Sequence, residues 1–173
     1  MDVYSAVKNR RSVRRFKKEP FAEETLEKLL DAARLAPSAG NAQPWQFIVV
    51  RNRNTMARLA DAALGQSWML SAPLMVVVCA ELKRSAASYG RRGVELYAIQ
   101  DTAAAIENML LCAVAEGLAA CWVGAFREEA AASALGIDSK TLRPVALIPI
   151  GYPAERSSMP PKRPLDDVVQ YVD

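Results

Sequence analysis

The chain has 173 residues, 51% of them hydrophobic and 24% charged, enough apolar mass for one soluble domain with a sizeable core. Lys and Arg number 22 against 19 Asp and Glu, and the resulting +3 is too mild to imply a nucleic-acid partner. There is no histidine, which excludes Ser-His-Asp and Cys-His nucleophile pairs, imidazole acid–base chemistry and histidine metal ligands together. Cys79, Cys112 and Cys121 are odd in number, lack a C-x-x-C spacing and lie in apolar settings, so they read as core residues of a reducing compartment. No clustered ligand set suggests a metal. Met1-Asp2-Val3-Tyr4 leads into a polar, basic stretch rather than a signal peptide, and no apolar run reaches the roughly 20 residues of a membrane span. A cytoplasmic protein is expected.

Taken in order, Asp2 caps a short helix through Val3, Ala6 and Val7 that ends near Asn9. Residues 8–18, KNRRSVRRFKK, then carry seven positive charges, with Phe16 as an anchor to the core. Ala22–Leu35 is a helix with Leu26, Leu29, Leu30 and Ala33 on its buried face. It stops at Pro37, because the residue before a proline is pushed out of the α region. The polar loop SAGNAQ follows, and Phe47–Val50 is a core strand. Asn54 is expected to cap a helix closed by Gly65, and Leu74–Ala80 is a second core strand. Residues 81–93 are expected to form a mobile surface loop.

Val94–Glu116 reads as the longest helix, apolar on every face over Met109–Ala115 and so destined for the interior or a subunit contact. Leu118–Val123 is a third strand, Glu128–Leu135 a helix capped by Gly136, and Pro144–Ile150 a fourth strand. This alternation gives a layered α/β or α+β fold over a single domain, residues 1–173. In residues 152–173, four prolines oppose a helix while Leu165, Val168, Val169, Tyr171 and Val172 want burial. An extended arm packing on a neighbour meets both demands.

Three separated pieces could serve one anion: Arg10-Arg11-Ser12-x-Arg14, the group Ser38, Asn41 and Gln43, and Lys162-Arg163. Arginine offers paired planar donors and stays charged, which suits a phosphate monoester. Neither GxGxxG nor GxxxxGK[ST] occurs, so phosphate capture falls to side chains.

RRSVRRF, PSAGNAQPWQFIVV, YAIQDTAAAIENMLLCA, GLAACWVGAF and IPIGYP, in this order and spacing, resemble the nitroreductase family of flavin-dependent NAD(P)H oxidoreductases. The resemblance implies an α+β fold of three layers (α/β/α), with a mixed, mainly antiparallel sheet flanked by helices. It also implies an intertwined homodimer with FMN at the subunit interface and the C-terminal arm crossing to the partner. By position, Arg10, Arg11 and Ser12 would hold the FMN phosphate and ribityl chain, with Arg14 at the pyrimidine edge. Pro37, Ser38, Ala39 and Asn41 would come from the other subunit, supported by Gln43. Trp122, Val123 and Gly124 would line the ring, one backbone N–H facing flavin N5, and Lys162 or Arg163 would complete the phosphate grip.

Two departures stand out. Ala39 replaces a serine of many relatives, and GQSW stands where others carry Asn and Lys, leaving Gln66 as the substitute. The activity implied is hydride transfer from NAD(P)H through the flavin to a nitro, quinone or similar acceptor by a ping-pong route, with no catalytic side chain required. Reductive dehalogenation or flavin breakdown on the same fold is one alternative. A colourless module binding nucleic acid through the basic segment is another, although only Phe16 interleaves an aromatic there. Among single residues, Trp45 reads as a core plug rather than a flavin contact, and Trp68 as a core or dimer contact rather than a residue stacking on substrate. Arg15, Lys17 and Lys18 read as surface charge, and Tyr89 as a loop residue over the pocket.

Overall fold

Four strands, β1 (Trp45–Val50), β2 (Leu74–Glu81), β3 (Ala119–Ala120) and β4 (Leu142–Gly151), pair antiparallel in the spatial order β1-β2-β4-β3 in the computed structural model, which describes residues 1–155 and 157–172. Six α-helices accompany this sheet: α1 (Val3–Asn9), α2 (Glu23–Arg34), α3 (Arg53–Ala62), α4 (Leu82–Arg92), α5 (Ala98–Ala115) and α6 (Glu128–Leu135). Strand β2 is apolar at nearly every position because both of its faces are covered. Side chains alternate across a strand, so Leu74, Val76 and Val78 meet Leu26 and Leu29 of α2 and Ile106 and Met109 of α5. Met75, Val77 and Cys79 meet Met56 and Leu59 of α3 and Ala131 of α6. Full burial of each larger side chain contributes about 1.5–3 kcal/mol. The three layers are therefore α2 and α5, the sheet, and α3 and α6. The one parallel pairing among the described residues is an isolated bridge between Ser12 and Ala120.

Most expected elements occur where the pattern placed them, and the exceptions have local causes. The cap of α3 is Asn52, whose side chain accepts the Thr55 N–H at 3.0 Å, so Asn54 lies inside the helix. Residues 82–92 form a helix rather than a loop: Leu82–Tyr89 contains no proline or glycine, and polarity alone does not prevent helix formation. The long helix expected over Val94–Glu116 begins with a π-turn, Gly93–Tyr97, before α5. The third strand shrinks to Ala119–Ala120, because Leu118 turns its N–H back to Ala113 C=O and beyond Ala120 only isolated hydrogen bonds, from Cys121 to Pro149 and between Val123 and Leu147, join the chain to β4. Phe47–Val50 belongs to an edge strand and is only partly buried before Val50.

The three cysteines are free, and burial pushes the Cys79 thiol up to about 12. No helix among the described residues is long and apolar enough to cross a membrane. Arg156 and Asp173, which belong to the arm expected over 152–173, lie outside the described residues. Within that arm, Leu165, Val168, Tyr171 and Val172 are exposed, and so are Val3, Tyr4 and Val7 of α1.

Candidate functional site

The basic segment after α1 is held extended by its backbone and by two apolar anchors. Val13 N–H donates to Ala120 C=O at 3.2 Å, Phe16 N–H to Ser71 Oγ at 3.2 Å and Lys17 N–H to Tyr152 C=O at 2.9 Å. Val13 and Phe16 are buried with Ala72 and Ala119 against Trp68. With those two side chains turned inward, Arg10, Arg11, Ser12 and Arg14 border a cavity of about 680 Å³. Its other wall is the segment after β4, with Glu155, Ser157, Ser158, Met159, Pro160 and Lys162.

The arginines are placed by close neighbours. Arg10 Nε lies 3.7 Å from Glu107 of α5, and Arg11 Nη1 donates to the carbonyls of Lys8 (2.6 Å) and Arg10 (2.8 Å). The Arg14 guanidinium lies 5.8 Å from the centre of the Trp68 ring. Cys121 lies close by: burial pushes its thiol pKa up, while Arg14, the Ser12 hydroxyl and Arg10 oppose the rise. Lys162 borders the cavity, whereas Arg163 is turned away, its Nη2 donating to Asp167 C=O at 2.7 Å. Glu155, the acidic residue of the lining, lies 3.8 Å from Arg15. Three arginines, one lysine and the Ser12 hydroxyl supply charged and neutral donors of the kind a phosphate requires. They fit a phosphorylated ligand without a glycine-rich loop.

Pro37, Ser38, Ala39, Asn41 and Gln43 do not border this cavity. They form a tight 3₁₀ turn, Ala39–Asn41, in which Gln43 N–H donates to Ser38 Oγ at 2.9 Å and Asn41 N–H to Ser38 C=O at 3.0 Å. Gly40, Asn41 and Gln43 all have left-handed backbones, with φ of 53°, 55° and 49°. Glycine suits position 40 on a second count, since a Cβ there would lie 2.5 Å from the Tyr89 hydroxyl and that side chain would have to shift. Tyr89, on α4, therefore sits over this turn. Ala39 N–H donates to Asp101 Oδ1 of α5 at 3.0 Å.

The third group adjoins the first. Val123 is buried and its N–H is taken by Leu147 C=O at 3.0 Å, so it has no donor to offer a ligand. Among the described residues, the N–H groups of Trp122 and Gly124 have no backbone partner, and Trp122 is 39% exposed. Gln66 links this segment to the arginines: its Nε2 donates to Ala125 C=O at 3.4 Å, and its Oε1 accepts from Trp68 Nε1 at 3.3 Å. Trp68 is thus both core and site, where the sequence favoured a core or dimer contact over stacking on a substrate.

Val7, Glu107, Glu155, Ser157, Ser158 and Asp101 were not recognisable as site residues from the sequence. Only the two serines beside the proline-rich segment carried a signal, a pair of hydroxyls near Lys162. Among the described residues, no three His, Cys, Asp or Glu side chains are grouped to hold a metal.

Comparisons with known proteins agree with this geometry. The model described as the Nitroreductase family matches residues 7–68 and 63–152. An NADH dehydrogenase of Thermus thermophilus is 34% identical over 196 aligned positions, covering 98% of this chain and 95% of its own. An FMN reductase [NAD(P)H] of Bacillus subtilis is 27% identical, covering 96% of this chain and 72% of its own. The crystal structure of a nitroreductase family protein from Clostridium novyi superposes with a TM-score of 0.81 at 32% identity, over 91% of this chain and 89% of that one. With the layers, the order of the motifs and the matched residues in agreement, the chain belongs to the nitroreductase family.

Proposed function

We propose that this chain is an FMN-dependent oxidoreductase that moves a hydride from NAD(P)H to a nitro, quinone or similar small acceptor in two half-reactions, the donor leaving before the acceptor enters. The observation that carries this reading is the gathering of Arg10, Arg11, Arg14, Lys162 and the Ser12 hydroxyl around one cavity. A family relative named as an FMN reductase [NAD(P)H] supports the choice of cofactor and donor. FMN, when bound, supplies the two-electron carrier.

The chain's own residues then have separate tasks. Arg10, Arg11, Ser12 and Lys162 would hold the phosphate, and Arg14 would supply a fixed positive charge to stabilise the reduced flavin. Trp122 and Gly124 offer the ring their backbone N–H groups, in place of Val123, and Gln66 supports that segment. Solvent supplies the protons, so no general acid is needed from a chain without histidine.

The turn carrying Pro37, Ser38, Ala39, Asn41 and Gln43 lies off this chain's own cavity, which supports its service to the cavity of a second copy. The exposed apolar residues of α1 and of the arm support the same arrangement: a homodimer in which one 1–173 domain lays its 152–173 arm on the partner. A cytoplasmic setting suits the three unpaired cysteines.

The test is an absorption spectrum of the purified protein, followed by anaerobic reduction with NADH or NADPH and re-oxidation by a panel of nitroarenes and quinones. Bleaching by the nicotinamide and recovery with these acceptors is expected. Absence of flavin after incubation with FMN, or no turnover with either acceptor class, would refute the proposal.

A further inference from the structure

The Ser38–Gln43 turn has an unusual support. Asn41 and Gln43 hold left-handed backbones that L-residues adopt at a cost, so something outside the turn must help to keep its shape. Its internal hydrogen bonds run from Asn41 to Ser38, from Ala42 to Ala39, and from Gln43 to Ser38 and Asn41. Among the described residues, a single hydrogen bond joins residues 38–43 to another element: Ala39 N–H to Asp101 Oδ1, 3.0 Å across 62 positions of sequence. Asp101 is only 7% exposed, on the first turn of α5, and its Oδ2 is buried with no partner. A buried carboxyl, half satisfied and spent on one amide, is costly to keep unless that amide matters.

We infer that Asp101 is a positioning residue: through the Ala39 amide its carboxylate holds the Ser38–Asn41 turn in the shape that receives the flavin, and protonation of the free Oδ2 loosens it. The inference rests on the proposed flavin site. An ionised acceptor makes a hydrogen bond roughly twice as strong as a neutral one, so the tether is firm in the carboxylate form and weak in the acid form. Burial raises the Asp101 pKa, the Ala39 N–H opposes that rise, and no charged side chain shifts it in either direction. The turn itself has no titratable side chain; beside it stand the phenols of Tyr89, against Gly40, and Tyr97, one turn before Asp101. The carboxyl is thus the group whose charge changes in the acid range, and the grip on the turn is present above its raised pKa and lost below it.

The experiment compares full-length wild type, Asp101→Asn and Asp101→Ala by FMN fluorescence quenching from about pH 4 to about pH 8. Asparagine keeps the size and a neutral acceptor, and its profile supplies the background due to the phosphate's own titration. At neutral pH, Asp101→Asn should bind FMN roughly three- to tenfold more weakly than wild type. The ratio should close to one in acid, and Asp101→Ala should be the weakest at neutral pH. Without any flavin, protease nicking within residues 38–43 should be fastest in Asp101→Ala. An Asn-to-wild-type ratio that does not change with pH, or an alanine variant with wild-type affinity and nicking, would overturn the inference. If wild type binds no FMN at any pH, the flavin reading fails, and equal nicking of the three apo-proteins would then overturn the tether separately.

Discussion

Replacing Arg10 and Ser12 together by alanine tests whether the basic cavity grips a phosphate. The Arg10 side chain is 28% exposed and lies 3.7 Å from Glu107, so it is neither fully desolvated nor free of competition. A hydrogen bond to a charged group is worth about 1.5–3 kcal/mol, and these conditions argue for the lower end. The Ser12 hydroxyl, exposed at the same cavity, adds about 1 kcal/mol as a neutral donor. The sum, about 2.5 kcal/mol, corresponds to roughly 70-fold weaker FMN binding.

Riboflavin provides the control, because it has the same ring and ribityl chain without the phosphate. Its affinity should change by no more than about threefold, the effect left for the ribityl contact of Ser12. Fluorescence-quenching titrations of both ligands against wild type and the double variant read both numbers. Equal weakening of FMN and riboflavin, or FMN binding left intact, would show that these residues do not hold the phosphate.

Three further outcomes are expected. Lys162→Ala should weaken FMN binding roughly fivefold, while Arg163→Ala should leave it within about twofold, since Arg163 is committed to Asp167 C=O; titration of the two variants decides between them. Removal of residues 160–173 should lower both dimer content in sedimentation and flavin content after gel filtration, and an unchanged, flavin-replete dimer would contradict the crossing arm. Gly93→Ala puts a Cβ 2.3 Å from the Ser85 carbonyl oxygen and 3.1 Å from Tyr89 Cβ, so backbone must shift. Overpacking of about 1–3 kcal/mol should lower the melting temperature by roughly 2–12 °C, against almost no change for Gly124→Ala, whose nearest contact is Trp122 Nε1 at 3.9 Å.

Much of the fold could be read before any coordinates, because the relevant signals are local. LMVVVCA is apolar at successive positions, which marks a strand covered on both faces, and Leu26, Leu29 and Ala33 repeat at helical spacing. Gly136 ends α6 in a left-handed conformation, as its place after Leu135 suggests. The misreadings are local as well. Asn52 and Asn54 are equally good caps by composition, and the start of the apolar face at Met56 does not choose between them. Residues 82–92 were hidden by their polarity, although their helix is what carries Tyr89 to Gly40.

The cluster of cations, the polar turn and the Trp122–Gly124 segment are properties of the chain as written, since charge, donors and small residues belong to the residues themselves. Which of them meet is a matter of long-range packing. Lys162 reaches the arginines and Arg163 does not, a difference of one position decided by how the segment after β4 runs past α1. Val123 loses its amide to Leu147 because neighbouring residues of an extended chain point their N–H groups to opposite sides. Asp101 finds Ala39 only because α5 packs beneath a turn 62 positions earlier, and no local pattern encodes that meeting.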